Sequence, residues 1–114
     1  TSGGVYVTGA AVFPDGSSNG IQIGNSSDLQ LYHDGSNSFI SDAGTGALRI
    51  LSNDARIINA AGTEDMARFI ENGAVELYYD NSKTFETASG GATLTGVLNV
   101  AGGTSQRQID CCHL

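Results

Sequence analysis

Two short segments concentrate oxygen-bearing side chains, Asp34-Gly35-Ser36-Asn37 and Asp80-Asn81-Ser82-Lys83. Such oxygens suit a hard cation like Ca²⁺. The alternating acids and the closing bidentate Glu of an EF-hand loop are missing. The simpler reading is a hairpin turn whose Asp caps its own backbone, so no metal and no cofactor is assigned. His33 beside Asp34 suggests acid–base work. Neighbours on a strand point to opposite faces, which separates the pair. Glu76, Asp80 and Glu86 are available for glycoside cleavage. That reaction needs two carboxyl groups a few ångströms apart, and no local spacing selects a pair. Cys111-Cys112-His113 places soft ligands in a row. Structural zinc sites use spaced pairs, because adjacent residues cannot easily face one ion, so only assembly about a symmetry axis would complete such a site. No catalytic residue is assigned, and the chain is read as a non-enzyme. The candidate surface-binding residues are Tyr32, Tyr78 and Tyr79. Their rings could stack on sugars, and packing between chains is the stronger use.

The elements that would carry these residues are strands. Apolar and polar residues alternate in Val5-Tyr6-Val7-Thr8, Ile21-Gln22-Ile23, Leu29-Gln30-Leu31-Tyr32, Ala47-Leu48-Arg49-Ile50 and Ala74-Val75-Glu76-Leu77-Tyr78. Alternation of period two puts every second side chain on one face of a sheet. Asp34-Gly35, Asn72-Gly73, Asp80-Asn81 and Gly90-Gly91 punctuate the runs with residues suited to tight hairpins. The spacing predicts an all-β chain of short antiparallel strands. Thr63 to Gly73 could instead form a two-turn helix, with a plausible cap, early acids and a closing glycine.

An internal repeat favours the strand there. Leu31-Tyr32-His33-Asp34-Gly35-Ser36 recurs 46 positions on as Leu77-Tyr78-Tyr79-Asp80-Asn81-Ser82. The same offset carries Ile23 to Phe69, Phe39 to Phe85 and Leu48 to Leu94. The pattern divides the chain into an opening strand segment over 1–20, a first repeat over 21–66, a second over 67–102 and a tail over 103–114. Matching apolar slots predict one register and one turn geometry in both copies, with Tyr32 and Tyr78 in equivalent surroundings. Leu29, Leu31, Phe39, Leu48, Ile50, Val75, Leu77, Phe85 and Leu94 are the expected buried set. Repeated modules of this kind do not bury their apolar faces alone, and two copies are few. Self-association is therefore expected, and it would also cover strand edges.

Charge and composition exclude other classes. The 114 residues hold twelve acids against five Lys and Arg, a formal net charge of −7. Nucleic-acid binding requires the opposite sign. No apolar run has the length of a membrane span, so no membrane insertion is expected. The two cysteines are adjacent, which excludes a framework of spaced disulfides.

Asp28 to Ile40, reading Asp-Leu-Gln-Leu-Tyr-His-Asp-Gly-Ser-Asn-Ser-Phe-Ile, resembles the repeats of tail-fibre proteins of marine bacteriophages, cyanophages especially. Glu71 to Lys83 is similar to a second recurring phrase of those proteins, and Gly90 to Val100 to the phrase that closes such a unit. The resemblance spans about residues 20 to 100. It implies a repetitive, elongated, intertwined homotrimeric fibre or a section of one, located on the virion. The implied partners are copies of the chain, other virion proteins and a host cell-surface receptor, a glycan among the candidates. The alternatives are a monomeric lectin-like or adhesin β-domain that binds carbohydrate and, third, a polysaccharide-degrading spike.

Overall fold

The computed structural model describes residues 3–102 and is all-β, with two antiparallel sheets and no helix among the described residues. The tail over 103–114, with Cys111, Cys112 and His113, lies outside the described residues. The chain divides into two compact units, one ending at Arg49 and the other beginning at Ile50.

In the first unit β1 (Ile21–Ile23), β2 (Leu29–His33) and β3 (Ser38–Asp42) form a sheet in chain order. Its register aligns Ile21, Leu31 and Ile40 in one row across the strands. By alternation Gln22, Gln30 and Ser41 form the adjacent row on the opposite face. Tyr32 and Phe39 are directly opposed on that second face, with ring centroids 4.6 Å apart and planes 12° from parallel. Gly20 leads into β1 where a side chain has no room. A Cβ there would collide with the Leu31 carbonyl oxygen and lie 2.7 Å from the Tyr32 Cβ.

In the second unit β4 (Asp54–Ile58), β5 (Asp65–Ile70), β6 (Val75–Tyr79), β7 (Ser82–Ala88) and β8 (Gly91–Leu94) again follow one another in chain order. The segment that could have been a helix is strand β5. Its backbone finds a ladder partner on both sides, which tertiary pairing supplies and local propensity does not register. Ile57, Ala67, Leu77, Phe85 and Leu94 stand in one row through all five strands. The next row, on the opposite face, is Arg56, Arg68, Glu76, Glu86 and Thr93.

The repeat carries over strand by strand, and then breaks. Shifted by 46, β2 coincides with β6, while β1 and β3 fall within β5 and β7. The pairs Ile21–Leu31 and Ile23–Leu29 have their counterparts in Ala67–Leu77 and Phe69–Val75. The following hairpin differs. After β2 a four-residue loop, Asp34 to Asn37, joins the pair His33–Ser38. After β6 only Asp80 and Asn81 intervene between Tyr79 and Ser82, and both have positive φ, 46° and 62°. That is the signature of a type I′ turn. The shorter turn alone would offset the ladder by two residues, and a bulge between Leu77 and Tyr78 takes one of them back, so Phe85 opposes Leu77, whereas Phe39 opposes Tyr32. The expectation of one register and one turn geometry is corrected here. Carrying the first register over would have put Glu86 in the apolar row. The shorter turn and the bulge put Phe85 there and leave Glu86 among the charges.

One further expectation is corrected. Val5–Thr8 and Ala47–Ile50 form no strand. Alternation permits a strand, but a strand exists only with a ladder partner for its N–H and C=O groups. Among the described residues no apolar side chain is buried in the single chain. Leu29, Leu31, Phe39 and Val75 are half-buried, and Leu48, Ile50, Leu77, Phe85 and Leu94 are exposed. Within each unit a single layer leaves both faces of its sheet without a second layer to cover them.

Candidate functional site

The polar face of the five-stranded sheet holds the densest group of chemically capable side chains in the second unit. Arg56 and Arg68 are directly opposed on β4 and β5, and each is clamped by a carboxylate. The Arg68 guanidinium donates from Nε and one Nη to Asp54 at 3.0 and 2.7 Å. Arg56 donates in the same fork to Asp65 at 2.9 and 2.5 Å. Strict alternation would put Asp65 on the apolar face with Ala67. The register break opposite Ile57 and Ile58 skips Met66 and brings Asp65 round to Arg56. The guanidinium on each carboxylate holds Asp54 and Asp65 below the usual carboxylate range, chiefly by hydrogen bonding.

Glu76 and Glu86 face one another across β6 and β7, with Lys83 joining them. Lys83 Nζ is 2.6 Å from Glu86 and 3.7 Å from Glu76. The Tyr78 hydroxyl donates to the other oxygen of Glu76. Hydrogen bonding to Glu86 raises the Lys83 ammonium, and the bond to Glu76 raises the Tyr78 phenol, because each stabilises the protonated donor. Glu76 is 9 % exposed, the only buried residue among those described. Its place in the central strand, between Arg68 and Glu86 and under Tyr78, explains that burial. The whole arrangement is a ladder of compensated charge running across the sheet. Each carboxylate in it already accepts from a protein donor, so its chemistry is that of cross-strand pairing.

The carboxylates that spacing left unsorted are thus sorted by pairing. Glu76 and Glu86 come together, and Asp80 sits apart in the β6–β7 turn. The Arg–Asp clamps escaped sequence reasoning altogether. The available signal was polar side chains on alternate residues, Asp54 with Arg56 and Glu76 with Tyr78, once the strand assignment was in hand.

The three tyrosines are not brought together. Tyr32 stacks on Phe39 and is half-buried. Tyr78 lies on the charged ladder, bonded to Glu76. Tyr79 alternates to the other face and is 77 % exposed, the freest ring of the three. None of them lines either of two open depressions found in the second unit. The larger, about 340 Å³, lies among Asn72–Ala74 and Thr87–Ser89. The smaller, about 140 Å³, lies beside Arg56 and the turn over Gly62–Asp65. In the first unit Asp34 accepts from the backbone N–H groups of Ser36 at 2.9 Å and Asn37 at 2.7 Å. Those bonds lower its carboxyl and make it a turn cap. His33 Nδ1 is 3.2 Å from Ser38 Oγ, across the hairpin.

No protein-family model, no curated protein and no solved structure matches the chain.

Proposed function

We propose that the chain is a structural piece of a virion appendage, a section of a phage tail fibre, that associates with copies of itself and presents a surface for attachment to a host cell. The observation that carries the reading is the combination of repeated fibre-like phrases with sheets that bury no apolar side chain on their own. Such sheets need further chains to complete their packing. The compensated ladder Asp54–Arg68, Arg56–Asp65 and Glu76–Lys83–Glu86 fits a scaffold, since its charges are spent on holding strands together. Attachment would be multivalent, so weak single contacts suffice through effective concentration.

The test combines native mass with retention on marine cyanobacterial cells. The expected result is a homo-oligomer, a trimer under this reading, retained on cells and released when it is diluted to monomer. A monomer that binds free glycan through one site would favour the lectin-like alternative. Release of reducing sugar from cell envelope would favour the degrading spike. Either result would overturn the structural reading.

A further inference from the structure

We infer that the apolar face of the β4–β8 sheet is covered by a second copy of this chain, with the row Ile57–Ala67–Leu77–Phe85–Leu94 at the centre of the contact. The inference rests on the self-association proposed above and names the surface that performs it.

Three observations carry it. First, the row is continuous through every strand of the sheet and is apolar at every position. Four of its five side chains stay exposed in the single chain, from 36 % at Phe85 to 53 % at Ile57, and Ala67 is half-buried. Scattered exposed apolar residues are ordinary, but a registered row across five strands is a contiguous patch. Second, charge sorts the two faces. No acid or base of β4–β8 alternates onto the apolar face, because the two register breaks move Asp65 and Glu86 to the other side. A chain of net charge −7 repels its copies wherever carboxylates would meet. This face brings none of the strand carboxylates together, so it suits a second copy in particular. Third, the area fits. With strands about 4.8 Å apart and about 17 Å long, the five-stranded sheet offers a footprint of about 400 Å². A contiguous apolar patch of that size marks an interaction site.

The experiment uses the whole chain and two readouts. Native mass is compared for the unmodified protein, Leu77→Glu and Ala67→Glu, with Thr93→Lys as a control on the charged face beside Glu86. The row variants are expected to fall to monomer, and the control to keep the native mass. Hydroxyl-radical footprinting of the unmodified protein makes the test independent of whether a variant folds. Phe69, Leu77 and Phe85 are expected to label several-fold less in the oligomer than in the urea-unfolded chain. An oligomer in which Leu77 and Phe85 label freely would overturn this surface and leave the fibre reading standing. A monomeric native mass for the unmodified protein would overturn both.

Discussion

Asn81→Val tests the turn that sets the register of β6 and β7. Asn81 has φ 62° and Asp80 φ 46°, so the two-residue loop requires the left-handed region twice. For an ordinary L-residue that region costs about 1–2 kcal/mol, and Asn and Asp tolerate it best after glycine. A β-branched residue is among the poorest choices there. Asn81→Val should therefore weaken the hairpin by about 1–2 kcal/mol, which is roughly a 5–30-fold rise in the open population. Asn81→Gly should keep the hairpin at least as closed, since glycine takes positive φ without steric cost. Amide hydrogen exchange at Tyr79, Ser82 and Lys83 reads this locally, without assuming one global unfolding step. The expected result is 5–30-fold faster exchange (roughly) in Asn81→Val at these amides, with β4 and the three-stranded sheet unchanged. If Asn81→Val exchanges like the parent, or Asn81→Gly exchanges faster, the turn is not type I′ and the register argument for Phe85 falls.

Gly20→Ala should destabilise the three-stranded sheet by about 1–3 kcal/mol, because its methyl would meet the Leu31 backbone, whereas Gly46→Ala, with open space around it, should be near neutral; exchange rates at Gln30 and Leu31 decide between them. Acid should loosen the second sheet: Asp54 and Asp65 titrate below the ordinary aspartate value of 3.8 when folded, so their contribution is complete above about pH 4 and is lost as pH falls through the lowered values. Asp54→Asn with Asp65→Asn should flatten that acid limb in a circular-dichroism titration. At the alkaline end Tyr78 and Lys83 are raised above 10.0 and 10.5, so their contribution is complete below those values and is lost as pH rises through the raised ones; Tyr78→Phe with Lys83→Met should remove the alkaline limb. Phe39→Leu should move the Tyr32 ring resonances, since the rings are stacked, while Phe85→Leu leaves those of Tyr78 in place. Equal shifts in both tyrosines would show that the two copies share one register after all.

Much of this architecture is local and therefore legible without coordinates. Period-two alternation marks β1, β2 and β6, and Asp34-Gly35, Asn72-Gly73 and Asp80-Asn81 mark the turns that follow β2, β5 and β6. The repeat identified β5 as a strand against a reasonable helical reading, because Phe69 inherits the place of Ile23. The same alternation misled at Val5–Thr8 and Ala47–Ile50, where no second strand arrives to form a ladder. The candidate site was only partly legible. Its residues were visible as types, and Glu76 and Glu86 were named, but which carboxylate meets which cation is set by pairing between strands.

The sequence by itself determined the all-β class, the positions of most turns and which residues within a strand share a face. Each of these follows from backbone geometry over a few residues, and a strand alternates whatever stands beside it. Only the tertiary structure decided the register after β6. There two residues at positive φ and one bulge offset the ladder from that of the first copy. A one-residue offset exchanges the faces of a strand. It therefore turned a sequence match between Phe39 and Phe85 into a structural mismatch: Phe85 joined Ile57, Ala67, Leu77 and Leu94, and Glu86 joined Lys83 and Glu76.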